Sequence, residues 1–203
     1  GTVHFIFQPA KEGGGGGNEM VKEGLFKQFP VDAVYGMHNW PGMEPGEIGV
    51  HNGPVLAAND AFDLEIQGKG GHAAMPDLCI DPILAASQVV SALQSVVSRG
   101  INPVDSAVVT VTQIHAGDAY NVIPDSVKLC GSIRTFKKEV REKVISSMES
   151  VVKGVASGLE ASAELRIKQG YPATINTAQE AQKAASAAAR VVGETKVILD
   201  ADP

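Results

Sequence analysis

The chain has 203 residues, a formal net charge of −6, 44% hydrophobic and 20% charged residues, a globular composition with room for one large or two small domains. The acidic balance argues against the basic footprint of a nucleic-acid binder, and no apolar run approaches the roughly 18 residues of a membrane helix, so neither nucleic acid nor membrane is an expected partner. Cys79 and Cys130 are too few for a disulfide framework; they read as small buried hydrophobes of a protein in a reducing, cytoplasmic compartment.

At the start of the chain, Val3, Phe5 and Phe7 alternate with His4 and Ile6 and predict a strand. Pro9 has no N–H to give to a ladder and should end it. Glu12 follows, then the glycines Gly13 to Gly17. Glu12 reads either as a solvated acid in a flexible loop or as a metal-binding or catalytic carboxylate, since the carboxyl ends of strands are where α/β sheets bind ligands. The glycine run lacks the Gly-Lys-Ser/Thr ending of a phosphate loop. Met20, Leu25 and Phe26 predict a helix over 19–29, capped by Asn18 and weakened by Gly24. Residues 31–37 predict a second strand that delivers His38, followed by a turn through Pro45 and Gly46 and the segment 47–50.

Residues 59–169 read as a compact unit. Phe62, Leu64 and Ile66 alternate with polar residues on a first strand. Asp81-Pro82 opens a helix with a capping acid and a proline at the first helical position, Ile83, Ala86, Val90, Leu93 and Val97 form its apolar face, and Gly100 is placed to stop it. Residues 108–114 predict a Val/Thr-rich strand and Val127, Leu129 and Ile133 another. Val140, Val144, Met148, Val151, Val155 and Leu159 mark a second amphipathic helix, and Ala163, Leu165 and Ile167 a last strand. The order is βαββαβ, the ferredoxin-like arrangement. The Ala-rich stretch 178–192 predicts a helix. The first residues read directly as strand and the last as an apolar run with a stub, so the chain is expected to be an internal piece of something longer.

Five motifs, Gln8-Pro9-Ala10-Lys11-Glu12, Met37-His38-Asn39-Trp40-Pro41-Gly42, Gly68-Lys69-Gly70-Gly71-His72, Asn121-Val122-Ile123-Pro124-Asp125 and Arg134-Thr135-Phe136, occur in that order. Together they resemble the two-metal (zinc) amidohydrolase and metallopeptidase family of hippurate hydrolases, N-acyl-amino-acid deacylases and plant auxin-conjugate hydrolases. The resemblance implies an α/β catalytic domain contributed by residues 1–58 and 170–203, with a ferredoxin-like lid and dimerisation domain, 59–169, inserted in it and hinges near Ala58 and Gly170. It implies two divalent ions, zinc by preference, and makes Glu12 and His38 metal ligands. A histidine after a strand is otherwise most often structural.

The resemblance also implies that His72 reaches a neighbouring subunit's site to stabilise an oxyanion, and that Asn121 and Arg134 orient the substrate. Read alone, His72 is a turn residue and Arg134 a solvated strand residue; a guanidinium is equally a bidentate partner for a free carboxylate. Lys11 stands where the family has its general-base glutamate. A protonated lysine has no acceptor, so it cannot take a proton from water. The family commonly has a further histidine where Asp77 stands here. Its other metal-binding segments find no match, and two ligands are fewer than the three typical of one catalytic zinc. The expected function is therefore hydrolysis of the amide bond of N-acyl amino acids or small peptides by a homodimer, impaired here by Lys11 and missing ligands. The alternative is a non-catalytic relative acting as a dimerisation module, with 108–114 pairing as an edge strand. His4, His51 and His115 match nothing and read as structural or surface residues.

Overall fold

The structure is a computed structural model that describes all residues except Glu12, Gly14, Asp200, Asp202 and Pro203. The chain divides into two compact units, Gly1–Pro45 and Gly46–Pro203.

The second unit is built on a four-stranded antiparallel sheet of β3 (Ala58–Gln67), β5 (Ala107–His115), β7 (Ser126–Thr135) and β8 (Ser162–Lys168), in the order β5-β7-β3-β8. Strict alternation buries Phe62, Leu64 and Ile66 of β3 and Val127, Leu129 and Ile133 of β7 on one face. Two helices cover that face, α3 (Pro82–Ser98) and α4 (Lys138–Gly158), through Val89 and Leu93 of the first and Val144 and Met148 of the second. The element succession is βαββαβ, with two short strands, β4 (Gly71–His72) and β6 (Val122–Ile123), paired in a small ribbon of their own. Phe62 faces Gly131 across the sheet, where an added Cβ would meet the Phe62 ring at 2.4 Å.

A second group of elements in this unit lies on the segments that lead into and out of the sheet. Here β1 (Ile48–Val50) pairs in parallel with β10 (Val197–Leu199), and β2 (Gly53–Leu56) pairs antiparallel with β9 (Thr174–Asn176). Helix α5 (Ala178–Val192) spans the residues expected of it and buries Ala181, Ala185 and Ala188.

The expected face of α3 is turned by about one residue. Pro82, Ala85, Ala86, Val89, Leu93 and Val96 are buried, and Ile83 is 45% exposed. The helix is apolar on more than one side, so its phase is set by the sheet it meets rather than by the pattern. Asp81 caps it as expected, accepting from the N–H groups of Ile83 and Leu84 at 2.8 and 3.3 Å. Both cysteines are half-buried rather than enclosed.

In the first unit neither expected strand forms. Residues 1–8 and 31–40 carry no ladder, and Val3, Phe5 and Phe7 are 76%, 83% and 85% exposed. A strand is defined by its partner, and no described segment pairs with either stretch. The expected helix over 19–29 is two helices, α1 (Gly16–Lys22) and α2 (Leu25–Gln28), divided at Gly24 with φ 94°. Asn18 lies inside α1 and does not cap it; the cap is Gly15, in the left-handed conformation. Gly16 packs so tightly that an added Cβ would lie 1.9 Å from the Pro9 carbonyl oxygen. The end of the glycine run is thus the buried start of a helix.

Candidate functional site

The motif containing His72 and the motif containing Asn121 form one structure. Gly68 donates its N–H to the Asp125 carbonyl at 2.8 Å, and Gly70 donates to Asp125 Oδ1 at 2.9 Å. His72 pairs with Val122 across the β4–β6 ribbon, and Ala73 donates to the Asn121 carbonyl at 3.0 Å. The glycines are needed for these approaches. A Cβ on Gly68 would lie 2.2 Å from the Ile80 carbonyl oxygen, and one on Gly70 would lie 2.6 Å from that of Ile123.

His72 is exposed, and its Nδ1 accepts the N–H of Ala74 at 3.1 Å. An accepting Nδ1 leaves the proton of the neutral ring on Nε2. The ring therefore has a donor to offer at its outer nitrogen, the property an oxyanion partner needs. Asp125 and the glycines that hold this platform were not picked out from the sequence as site residues; the signal was an acid ending one motif and glycines at alternate places in the other.

Arg134 lies on the four-stranded sheet, at the end far from this ribbon. It is half-buried on β7, opposite Asn59 of β3 and Val108 of β5. Its Nη1 donates to the carbonyls of Ile133 at 3.0 Å and Asp60 at 3.4 Å. Among the described residues its Nε and Nη2 make no hydrogen bond, and these two nitrogens form the fork that grips a carboxylate. Arg134 is eight residues along β7 from Ser126, roughly 26 Å at 3.3 Å per residue, and the His72 platform is at the Ser126 end. One copy of this sheet cannot bring Arg134 and His72 to the same small molecule.

Lys11 is exposed in the turn that follows Pro9, directly after Ala10, whose φ of 47° is left-handed and unusual for a residue with a side chain. His38 is exposed in an irregular segment, and Glu12 lies outside the described residues. Among the described residues no group of three or more His, Cys, Asp or Glu side chains could hold a metal ion. The described donor set does not fit a two-metal centre, with one exposed histidine where several converging ligands are needed.

A further polar cluster lies on the sheet face opposite the helices. Asp63 is ion-paired with Lys168 at 2.5 Å and accepts the Cys130 thiol at 3.4 Å. The Lys168 bond, and then that of Cys130, hold the Asp63 carboxyl below the usual carboxylate range; Asp63 in turn pushes the Cys130 thiol up. No helix among the described residues is long and apolar enough to cross a membrane.

Comparison with known proteins decides the family. The family described as Peptidase family M20/M25/M40 matches residues 1–203. The chain belongs to this family. It is 45% identical over 195 residues to an N-acetylcysteine deacetylase of Bacillus subtilis, covering 96% of this chain and 51% of that protein. It is 35% identical over 194 residues to a hippurate hydrolase of Campylobacter jejuni, covering 96% and 51%. Among solved structures it resembles a Bacillus subtilis dinuclear metal-binding peptidase of the M20 family, with a TM-score of 0.77 and 36% identity over 98% of this chain and 49% of that one. The chain spans about half the length of these relatives. The expected family and the mixed α/β class are thereby borne out.

Proposed function

We propose that this chain supplies the substrate-orienting half of an amidohydrolase that cleaves the amide bond of N-acyl amino acids or small peptides, and that its site is composite. In this reading Arg134 takes the substrate carboxylate through Nε and Nη2. His72, with Asn121 beside it, comes from a second copy and donates from Nε2 to the oxygen that gains charge as the amide is attacked. The observation that carries the reading is the placement of Arg134 at one end of the four-stranded sheet and of the ribbon that holds His72 beyond the other end. The second copy would pair along β5, an edge strand of the sheet, so that residues 59–169 serve as lid and dimerisation domain with hinges near Ala58 and Gly170. The setting is cytoplasmic.

Two divalent ions, zinc by family expectation, would require ligands beyond Glu12 and His38, and no step is assigned to them here. Lys11 in the general-base position leaves the chain impaired, because an ammonium has no lone pair for a proton. The edge strand also supports the second reading, a non-catalytic dimerisation module.

The test uses the complete protein with Lys11→Glu, assayed on N-benzoylglycine. Activity should appear, disappear in His72→Ala and in Arg134→Ala, and return when the two inactive variants are mixed and allowed to exchange subunits. No activity after Lys11→Glu favours the dimerisation module; activity that mixing fails to restore sinks the composite site.

A further inference from the structure

Asp60 puts a carboxylate on the buried face of β3, in line with Phe62, Leu64 and Ile66, and its side chain is fully buried. A buried charge is tolerated only when hydrogen-bonded and paired. Asp60 is both. Arg141 Nε donates to its Oδ2 at 2.6 Å and Arg141 Nη2 to its Oδ1, while the Gly170 N–H donates to Oδ1 at 2.9 Å. The donors come from the first turn of α4 and from the segment leaving β8. Beside them Asn59 donates its N–H to the Tyr171 carbonyl at 3.1 Å, and a Cβ on Gly170 would lie 1.8 Å from the Asn59 carbonyl oxygen. The strand that enters the sheet and the chain that leaves it are clasped side by side here. The Asp60 carbonyl accepts from Arg134 Nη1.

We propose that Asp60 and Arg141 are positioning residues for Arg134: their ion pair fixes the Asp60 peptide, the carbonyl of that peptide ties down Nη1, and the Nε–Nη2 fork is left set for a substrate carboxylate. This rests on the reading of Arg134 as the carboxylate partner. Neither Asp60 nor Arg141 touches substrate in this scheme. The clasp also gives the glycine at 170 its reason, since no side chain fits between the two crossings.

The test is made on the 203-residue chain by following the Arg134 Nε–H resonance and amide hydrogen exchange at Gly170 and Leu129. In the unaltered chain, added N-benzoylglycine should shift the Arg134 resonance. Asp60→Asn should weaken that response about ten-fold and speed exchange at Gly170 about ten-fold, the size expected for losing one charge-assisted hydrogen bond, while Leu129 in the core stays unchanged. Arg141→Lys keeps a cation at the site, guards against failure to fold, and should show the same pattern to a smaller degree. An Arg134 response and a Gly170 rate that both survive these substitutions overturn the clasp, as does acceleration spread equally over Gly170 and Leu129. No response of Arg134 to N-benzoylglycine in the unaltered chain, with Gly170 still accelerated in the variants, refutes the carboxylate reading and with it the positioning role, leaving the clasp as a structural contact alone.

Discussion

The two units carry motifs of the same family but differ in how far those motifs become structure. In the Gly46–Pro203 unit the apolar faces of β3 and β7 meet a partner. Phe62 is 1% exposed, Leu129 and Ile133 are fully enclosed, and two helices close the layer. In the Gly1–Pro45 unit the alternating residues Phe5 and Phe7 stand almost fully in solvent, and α1 buries only a glycine. Alternation specifies which side of a strand can be buried. The burial itself depends on what covers that side, and it is burial that stabilises.

The largest expected effect tests this contrast directly. Phe62→Ala removes a ring held between the sheet and its helices and should lower the unfolding free energy of the second unit by about 3–5 kcal/mol. Phe5→Ala removes a ring of the same size from solvent and should change stability by no more than about 0.5 kcal/mol. Urea titration of the two variants measures both. Comparable losses would mean that Phe5 is buried in solution, and the contrast would fail.

The same contrast explains what could be read from the chain. The alternation of Phe62, Leu64 and Ile66, the spacing of Val140, Val144 and Met148, and the Ala-rich run all describe elements whose partners lie within the second unit, and all appear where expected. The strands expected at 3–7 and 31–37 were equally legible as patterns and do not form, because a pattern holds no information about its neighbour. The phase of α3 was missed for a related reason: several sides of it are apolar, and only contact with the sheet chooses among them. For the proposed site, motifs singled out His72, Asn121 and Arg134 but not their distribution, since register along β7 and β3 places Arg134 at one end and the His72 platform at the other. The Asp60 clasp was visible only as an acid on an apolar strand face, and its partners Arg141 and Gly170 are 81 and 110 residues away in sequence.

A smaller effect sharpens the comparison at the helix starts. Helix α3 begins at Asp81, whose carboxylate accepts two backbone N–H groups, whereas α1 begins at Gly15 with no side-chain cap. Asp81→Ala leaves those donors without a partner and should cost about 1 kcal/mol, while Asp81→Asn, which keeps an accepting oxygen, should cost only a few tenths. Equal losses in the two variants, measured by the same titration, would show that charge rather than capping matters at this position.

The smallest effect concerns chemistry on the open face of the sheet. The Cys130 thiol donates to Asp63, and the nearby carboxylate disfavours a thiolate, so the thiol is pushed up from its ordinary value. A raised acid favours its protonated form in the fold, so this contribution is complete below the ordinary thiol range and fades as pH rises through the folded value. Asp63 itself is held down, chiefly by Lys168, so its contribution is present above the ordinary carboxylate range and fades as pH falls through its own folded value. Asp63→Asn removes the carboxylate's dependence and weakens that of the thiol, which burial alone then sustains. At pH 8 the variant should expose more thiolate at Cys130 and react several-fold faster with iodoacetamide, since the thiolate is the nucleophile. Cys79, whose thiol lies 3.5 Å from the Met75 carbonyl oxygen and away from Asp63, provides the internal reference. Acceleration confined to Cys130 identifies the carboxylate as the cause, whereas equal acceleration at both thiols would trace the change to opening of the unit and contradict the local account.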